Sequence, residues 1–468
     1  MDCAHHSAIA LDLGTTSIKA ALLDQHGRLT NITSRPAPSI NGSDGRYESD
    51  TNCYVETAKQ VLQECRTQTD NIPPLGLCSQ RSSFLIWDKA SGMPVTPLIS
   101  WQDNRGMRCC DAIQNAKDLG LIRKHTGLRL TPYYFAPKLS VLLQDNPTWR
   151  EKLEKTKWLV GTLDTFLIWR WSQGQYFCTD ASMAARTLLM DIHQQQWSAS
   201  LCDLFGIPVS ILPKIKPSTG LNLPLDNGLT LQASVGDQSA ALIASVDKNN
   251  EALINLGTGG FVIRYLVNKQ NNTINGYLQT LIYQDSNGRP QIAIEGTLNS
   301  IAAALAPYPT HECHFKDLAT NDIFCLAEPS GLGAPYFRND WGIHFSKSTT
   351  HLTTHQITAL LLEAIIFRVS RILEEFHHQS PIIKAYLSGG LSELTCLQQG
   401  IAQCAPIPIY HSKQKETSLQ GAAQLAAGIK SKHQAQTKEI SIADGNNALL
   451  EKYQHWKKWL DTLLVKKT

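Results

Sequence analysis

Two short apolar runs near the start of the chain are separated only by a GTTS turn at residues 14–17. The first run, SAIALDL, begins at residue 7, and the second, IKAALLD, covers residues 18–24. A parallel crossover needs a dozen or more residues, so these runs can pair only as an antiparallel hairpin. This start excludes the strand–helix–strand unit with which a dinucleotide-binding domain begins.

Strand-like runs alternate with helical segments along the rest of the chain, which indicates α/β domains. A second hairpin pattern, EALINLGTGGFVIRYLV, covers residues 251–267 and turns at another Gly/Thr sequence. Two such hairpins indicate two similar domains, and the polar, turn-prone VDKNNE at residues 246–251 lies between them. We therefore predict an N-terminal domain over residues 1–247 and a C-terminal domain over residues 248–468.

Composition excludes several classes of protein. The 43 basic and 40 acidic residues leave a net charge of +3, which is too near neutral to indicate general nucleic-acid or membrane-surface binding. No apolar run approaches the ~18 residues needed to cross a bilayer, and the start lacks the regions of a secretory signal. The 12 cysteines are irregularly spaced and include no CxxC, which favours free thiols over a zinc ribbon. We expect a cytoplasmic protein.

Two turns contain the residue types that hold a phosphate. Asp12 precedes the turn at residues 14–17 and can hold Mg²⁺ through water. Glycine lets backbone amides approach a phosphate, and the hydroxyl groups of the turn add donors. NLGTGG at residues 255–260 has the same ingredients. Either turn alone could be an ordinary hairpin turn, but two of them at the starts of two domains favour a phosphate clamp.

Two further motifs lie at predicted strand ends. Asp237 stands between the strand at residues 229–236 and a small-residue helix, where it is an N-cap or a general base. The two roles are compatible, because a helix N-terminus stabilises an ionised carboxylate. The strand at residues 382–392 opens into Gly389-Gly390, which permits close approach of a flat ligand such as adenine. P-loop, GxSxG and HExxH motifs are absent from the sequence.

Three helices are also predicted. One covers residues 356–376, with a capping box offered by Thr353 and Gln356. A small-residue helix at residues 418–428 ends at a glycine, and a final helix covers residues 447–464.

In this order, the motifs resemble those of the FGGY carbohydrate kinases, which belong to the actin-like ATPase superfamily. IALDLGTTSIKAALLD is similar to the first phosphate motif of the family, INLGTGGF to the second, and AYLSGGLS to the adenosine motif. The segments SQRSS, WQDNR, TPYY and SVGDQSAAL add to the likeness, which is nearest to glycerol kinase-like members. The resemblance covers nearly the whole chain. It implies two actin-like (ribonuclease H-like) α/β ATPase domains with a cleft between them.

The resemblance implies an ATP-dependent kinase that transfers the γ-phosphoryl group to a primary hydroxyl of a small polyol or sugar. ATP and Mg²⁺ are the implied cofactors, with Asp237 as the catalytic base and Asp12 and Asp237 near the metal. The acceptor and first phosphate turn would belong to the N-terminal domain, and nucleotide binding to the C-terminal domain. The implied acceptor contacts are Arg81, Ser82, Trp101, Asp103, Tyr133, Asp237 and Gln238. The implied ATP contacts are Thr15, Thr16, Ser17, Lys19, Gly257, Thr258, Gly259, Gly389 and Gly390.

Two positions depart from the glycerol kinase pattern. Ser82 follows Arg81 where glycerol kinases have a glutamate, which argues against glycerol itself as the acceptor. Leu394 or Thr395 lies near a position where the family often has asparagine. A pentulose or other ketose kinase, such as xylulokinase or ribulokinase, is therefore an alternative. An actin-like chaperone ATPase is the alternative of another class, although it would not need the WQD and TPYY segments. The resemblance implies a homodimer or homotetramer, and we expect no nucleic-acid or membrane partner.

Overall fold

The computed structural model describes residues 6–266, 276–429, 437–442 and 447–465. These residues form two compact units. The first unit is built from the described residues of Met1–Ala244, Gln279–Ile292 and Glu416–Lys432, and the second from those of Ser245–Leu278, Ala293–Lys415 and His433–Thr468.

Strands and helices alternate through the first half of the chain. The strands are β1 (Ala8–Leu13), β2 (Ser17–Leu23), β3 (Leu29–Pro36), β4 (Asn41–Ser43), β5 (Arg46–Ser49), β6 (Leu75–Ser79), β7 (Phe84–Asp88), β8 (Leu98–Ile99), β9 (Trp158–Thr162), β10 (Cys178–Asp180), β11 (Met190–Asp191), β12 (Gln196–Trp197), β13 (Lys214–Lys216), β14 (Thr219–Pro224) and β15 (Thr230–Gly236). The helices are α1 (Thr51–Arg66), α2 (Met107–Ala112), α3 (Ala116–Thr126), α4 (Phe135–Asp145), α5 (Pro147–Glu154), α6 (Leu163–Trp171), α7 (Ala181–Ala184), α8 (Ala199–Phe205) and α9 (Asp237–Ser245).

The second half continues the alternation with longer helices. Its strands are β16 (Glu251–Leu256), β17 (Gly260–Tyr265), β18 (Leu278–Gln284), β19 (Pro290–Leu298), β20 (Cys325–Ala327), β21 (Ile343–Phe345), β22 (Lys384–Ser388), β23 (Ile409–Ser412) and β24 (Thr437–Glu439). Its helices are α10 (Ile301–Leu305), α11 (Thr354–Gln379), α12 (Thr395–Cys404), α13 (Thr417–Ala427) and α14 (Asn447–Val465).

A six-stranded sheet in the order β14-β15-β6-β1-β2-β3 is the centre of the first unit. β1 and β2 pair antiparallel, so the hairpin predicted at the start of the chain is confirmed. β6 pairs parallel with β1 on one side and with β15 on the other. Asp12 lies opposite Cys78 in this register, and Gly236 lies opposite Ser79. The carboxyl ends of three neighbouring strands therefore meet at one edge of the sheet.

Five neighbouring strands in the order β17-β16-β22-β23-β24 form a sheet at the centre of the second unit. β16 and β17 form the second predicted antiparallel hairpin, and β16 runs parallel to β22. Beside this sheet, α11 has the predicted capping box of Thr353 and Gln356 and buries a long apolar face. β16 and β22 thus repeat, in the second unit, the parallel neighbours that β1 and β6 form in the first.

Two segments from the second half of the chain belong to the first unit. In one, Gln279 N donates to Gly127 O at 2.9 Å. In the other, α13 packs on β1 and β6 so closely that a Cβ atom on Gly421 would lie 1.9 Å from Ala240 O. The predicted domains, residues 1–247 and 248–468, are contiguous stretches of the chain. They therefore place these two segments in the C-terminal domain, whereas the structure places them in the first unit. Small residues favour close helix packing, but their spacing does not say on which sheet the helix packs.

The remaining general expectations concern cysteines and membranes. The cysteines within the described ranges are free thiols, as predicted. None of the described helices is long and apolar enough to cross a membrane.

We expect Gly421→Ala to destabilise the first unit, because its new methyl group would overlap the carbonyl oxygen of Ala240. Overpacking of this kind costs about 1–3 kcal/mol. Gly120→Ala is the matched control, since Gly120 lies in α3 with nothing within 4 Å of its Cβ position. There, alanine should stabilise the helix by up to ~1 kcal/mol. Urea unfolding of both variants measures the difference, and equal midpoints would contradict the packing of α13.

Candidate active site

Three parallel strands position the candidate active site of the first unit. Asp12 lies near the carboxyl end of β1, Gln80 and Arg81 follow β6, and Asp237 follows β15. Open α/β sheets bind their ligands at such an edge, because the residues after neighbouring parallel strands are brought together there.

Asp237 is the first residue of α9, and its Oδ1 accepts a hydrogen bond from the backbone N–H of Gln238 at 2.7 Å. Its side chain is 32% exposed, and the Nε of buried Arg81 lies 3.6 Å from the same oxygen. Burial raises the pKa of Asp237 above its ordinary value, and the charge of Arg81 opposes that shift. The result is a carboxylate of raised basicity that is open to solvent on one side, as a general base requires.

Arg81 and Gln238 lie together beside Asp237. The guanidinium of Arg81 donates from Nη2 to Oε1 of Gln238. A Cβ atom on Gly236 would lie 2.8 Å from Cδ of Arg81, so only glycine leaves room for this side chain. The predicted cluster of Arg81, Asp237 and Gln238 is therefore found in one place.

Asp180 and Ser182 hold the strand end that carries Asp237. The backbone N–H of Gly236 donates to Ser182 Oγ at 2.8 Å, and that hydroxyl donates to Asp180 Oδ1 at 3.1 Å. Burial raises the pKa of Asp180 to about 7. Neither residue was predicted to belong to the site. Both lie in the segment TDASMAARTLL, in which the sequence shows no sign of contact with β15.

The turn after β1 is tight, and Thr16 is its exposed threonine. A Cβ atom on Gly14 would lie 2.6 Å from Ser17 O, so the turn requires glycine. Thr16 is exposed and Ser17 is half-buried. Thr15 is also half-buried, and its hydroxyl has protein partners, Trp101 Nε1 at 2.9 Å and Gln80 Oε1 at 3.3 Å.

Trp101 and Tyr133 form a half-buried aromatic pair whose ring centroids are 5.4 Å apart. Tyr133 also packs edge-on against Tyr134, with centroids at 5.0 Å. Arg186 lies over the ring of Tyr134 at 5.4 Å, and its charge, like that of Arg81, partly opposes the rise in the pKa of Asp237 that burial causes. These contacts bring two predicted acceptor residues into an aromatic surface with Arg186, a residue that was not predicted.

Asp103 makes protein contacts at both of its carboxylate oxygens. It is 0% exposed and accepts hydrogen bonds from the guanidinium of Arg105 and from Tyr47 N. Burial raises the pKa of Asp103, but these hydrogen bonds outweigh it and hold the pKa below its ordinary value. Arg105 in turn pairs with Glu48. Asp103 therefore anchors Arg105, and its contact with an acceptor stays a prediction.

Ser82 and Lys19 also differ from their predicted surroundings. Ser82 is 1% exposed, and its hydroxyl donates to Arg186 O at 3.0 Å. Lys19 Nζ lies 2.8 Å from both carboxylate oxygens of Glu416, which comes from the returning segment. That partner lies almost four hundred residues away in sequence, so spacing along the chain did not predict the ion pair.

In the second unit, the two predicted nucleotide turns lie beside each other. Asn255 on β16 is opposite Ser388 on β22, and Asn255 Nδ2 donates to Ser388 Oγ at 3.2 Å. Gly389 has φ +93°, and a Cβ atom there would lie 2.4 Å from Leu256 O. The predicted residues Gly257, Thr258 and Gly259 form the β16–β17 turn, in which Thr258 is exposed, and Gly390 follows Gly389 with open space at its Cβ position.

One oxygen of Asp12 fits the cation that the resemblance implies. Its Oδ1 is buried with no hydrogen-bond partner in the described part of the chain. Burial, together with the charge of Asp237, raises the pKa of Asp12 to about 7, and a bound cation would favour its ionised form. Among the described residues, no group of three or more His, Cys, Asp or Glu side chains could hold a metal. Mg²⁺ does not need such a group when water and phosphate oxygens complete its shell.

Lys138 on α4 is a buried cation that the sequence analysis missed. It is 0% exposed, and Nζ donates to Ser82 O at 3.1 Å and to Ser100 O at 2.9 Å. Burial lowers the pKa of Lys138 to about 7. The two carbonyls belong to the segments that contain Arg81 and Trp101, so Lys138 connects two segments with predicted acceptor residues.

The stability difference between wild type and Lys138→Met should depend on pH. The folded pKa is about 7 and the ordinary value is 10.5. Between these values the unfolded chain binds more protons, so wild-type stability rises with pH there. Because the variant lacks this contribution, the wild-type advantage should grow by about 1 kcal/mol per pH unit from pH 7 to 9. Urea unfolding at both pH values measures it, and a constant difference would show that Lys138 keeps an ordinary pKa.

The sequence matches both halves of one enzyme family. Residues 7–232 match the N-terminal domain of the FGGY family of carbohydrate kinases, and residues 252–428 match its C-terminal domain. The chain is 30% identical to a glycerol kinase of Mycoplasma pneumoniae, with 95% of this chain and 93% of the relative covered. It is 29% identical to an apulose kinase of Pectobacterium atrosepticum, with 96% of each chain covered.

Solved structures confirm the fold. A Plasmodium falciparum glycerol kinase with ADP has a TM-score of 0.84 at 23% identity, over 97% of this chain and 98% of that one. A xylulose kinase from Rhodospirillum rubrum has a TM-score of 0.81 at 19% identity, over 98% of each chain. The predicted pair of actin-like ATPase domains is confirmed, and the match to a kinase family decides against a chaperone ATPase. The chain belongs to the FGGY family of carbohydrate kinases, which transfer a phosphoryl group from ATP to a hydroxyl group.

Proposed function

We propose that this enzyme phosphorylates a primary hydroxyl of a small polyol or ketose, with Asp237 as the general base. The observation that supports it most is the meeting of Asp12, Arg81 and Asp237 at the ends of three parallel strands. Trp101 and Tyr133 supply an apolar face suited to the carbon chain of an acceptor.

Asp237 accepts the proton of the hydroxyl that attacks the γ-phosphoryl group. Burial raises the pKa of Asp237, which makes it a better base than an exposed aspartate, and the charge of Arg81 favours its ionised form. A stronger base is unnecessary, because the hydroxyl loses its proton late when the transition state is loose. Arg81 and Gln238 orient the acceptor, which contributes to the rate by positioning rather than by covalent chemistry.

Phosphate and nucleotide contacts follow from the two Gly/Thr turns. Thr16 and Ser17 of the first unit, and Thr258 of the second, present hydroxyl groups beside backbone amides. The open space at Gly390 leaves room for the adenosine. Mg²⁺, when bound at Asp12 and near Asp237, supplies neutralisation of the phosphate charge.

Asp237→Asn should lower kcat by roughly 10²–10⁴, the usual contribution of a positioned general base. The amide keeps the shape of the side chain, so nucleotide affinity measured by calorimetry should change little. Asp145→Asn is the control, because Asp145 is an exposed carboxylate paired with Arg108. A variant at Asp237 that keeps more than about a tenth of wild-type kcat would show that another group takes the proton.

The acceptor of the phosphoryl group is either a triol such as glycerol or a longer polyol or sugar. Glycerol kinase and apulose kinase relatives have nearly equal identity to this chain, so overall similarity does not choose between a triol and a sugar. The position after Arg81 is more informative. A glutamate there could accept two hydrogen bonds from a small triol, whereas the hydroxyl of Ser82 is donated to Arg186 O. Losing a hydrogen bond to a charged group weakens binding by roughly 10- to 100-fold.

We therefore expect at least one four- to six-carbon polyol or ketose to exceed glycerol in kcat/KM. A coupled assay of ADP release with glycerol, erythritol, D-xylulose and D-ribulose measures the ranking. Ser82→Ala should leave the ranking as it is, because the Ser82 side chain is turned towards Arg186. Preference for glycerol over every longer compound would mean that a different side chain replaces the missing glutamate.

We also propose that the enzyme works in the cytoplasm as a homodimer or homotetramer. The free thiols support the location, because a reducing compartment keeps cysteines unpaired. Light scattering on the purified protein measures the oligomeric state.

A further inference from the structure

A cleft of about 410 Å³ lies in the first unit, and none of its described lining residues is one of the predicted site residues. It is lined by three segments that are remote in sequence: the β14–β15 hairpin, the turn after β18 and the C-terminal end of α13. All three belong to the first unit. Small-molecule sites have volumes of ~300–1,000 Å³, so the size is suitable. Gln232 lines the cleft near the start of β15, whereas Asp237 follows the end of that strand.

Hydrogen bonds and close packing fix the walls of this cleft. Ser218 N donates to Gln284 O at 2.9 Å, and Gln284 N donates to Ser218 Oγ at 3.1 Å, so the start of β14 is joined to the end of β18. A Cβ atom on Gly220 would lie 2.8 Å from Cβ of Ser286, so the turn after β18 approaches β14 closely. The last residues of α13 line another side of the cleft. Its shape is therefore set by the fold of the first unit.

Gln232 lies at a β-bulge beside the cleft. Leu231 and Ala233 on β15 pair with the successive residues Leu75 and Gly76 on β6, so Gln232 lies opposite no residue of β6. The pairing of β15 with β14 also skips Gln232. A bulge changes the direction of a side chain, and bulges are frequent next to functional sites. The irregularity thus places one neutral amide at the wall of the cleft.

Gln424 on α13 supplies a second amide, and its carbonyl oxygen is an unused acceptor. The residue lines the cleft and is 3% exposed, and its Oε1 has no hydrogen-bond partner in the part of the chain that the structure describes. A buried acceptor of this kind destabilises a fold unless a donor meets it. An apolar side chain of the same length would avoid that cost. The amide therefore points to a donor supplied by a bound molecule.

The other lining side chains indicate which kind of molecule fits. Thr219 and Ser286 carry hydroxyl groups, and Tyr283 adds a half-buried aromatic ring with a phenol hydroxyl. None of the described lining residues is charged, so a phosphate or carboxylate group would meet no cation among them. The C-terminal end of α13 carries a partial negative charge, which also disfavours anions. Amides, hydroxyls and an aromatic ring suit a neutral polyhydroxy compound, which offers many hydroxyl donors and an apolar carbon chain.

We propose that this cleft is a second binding site, separate from the candidate active site, and that it takes a neutral sugar or polyol. Oε1 of Gln424 accepts a hydrogen bond from one hydroxyl of the compound, and the amide of Gln232 bonds another. The ring of Tyr283 packs against the carbon chain. The inference goes beyond the proposed function and does not depend on which compound the enzyme phosphorylates.

Hydrogen exchange followed by mass spectrometry on the whole enzyme locates such binding. The probes are D-xylulose and D-glucose, each matched with its terminally phosphorylated form. At least one neutral probe should slow the exchange of backbone amides at residues 283–286 and 424–429, and its phosphorylated form should not. The proposal is overturned if neither neutral probe protects these segments, or if the phosphorylated forms protect them equally well.

Gln424→Met removes the acceptor oxygen and keeps the length of the side chain. Titration of the protecting probe should give a dissociation constant about ten-fold higher than that of wild type, the loss expected when a hydroxyl loses its buried partner. The urea midpoint should equal or exceed that of wild type, because a buried acceptor without a partner has been removed. Gln60→Met is the matched control, since Gln60 is exposed on α1, and it should leave the dissociation constant unchanged.

An unchanged dissociation constant in Gln424→Met would overturn the proposal. Gln232→Met is the second variant, because Gln232 lies outside the strand pairing and its replacement leaves the ladder intact. It should also weaken binding by about ten-fold, and it decides the outcome if Gln424→Met does not fold. Because exchange is measured at the cleft, an enzyme that phosphorylates neither probe would count against the proposed function while this comparison still decides the second site.

Discussion

Parallel pairing of β6 with β1 and with β15 is the constraint on which the candidate site depends. All three strands are buried, and their register places Asp12, Ser79 and Gly236 at one edge. The residues that follow are brought together without any specific attraction between them. Burial raises the pKa of Asp12, and the charge of the nearby Asp237 carboxylate raises it further. Sheet pairing, stabilised by apolar burial elsewhere, offsets the cost of that repulsion.

Several buried polar groups around this edge have a definite partner. Asp103 is matched by Arg105, Lys138 by two carbonyls, and the Gly236 amide by Ser182. An unpaired buried group would cost about 1–3 kcal/mol, so these pairings select one arrangement of the loops. The same pairings leave Asp237 with one open side. Rigid surroundings and a single accessible carboxylate are the conditions under which positioning contributes most to catalysis.

The second unit also has polar residues at the ends of parallel strands, but these residues are neutral. β16 and β22 are parallel neighbours, and their ends carry Asn255 and Ser388 in place of carboxylates. Gly389 then packs against the backbone of Leu256, which only a residue without a side chain can do. A neutral, glycine-lined edge suits a nucleotide, whereas the charged edge of the first unit suits proton transfer. Two similar sheets thus present two different surfaces.

Local pattern determined much of this protein. Spacing alone predicted the GTTS hairpin, because four intervening residues leave no other pairing. The local pattern also predicted the capping box at Thr353 and the strand-to-helix junction at Asp237. Only the tertiary structure decided the partners of the polar side chains. Lys19 meets Glu416, which comes from a distant segment, and the hydroxyl of Thr15 meets Trp101 rather than solvent. Hairpins and caps depend on neighbours a few residues away, whereas these partnerships depend on which remote segment packs on the sheet, and spacing along the chain carries no information about that choice.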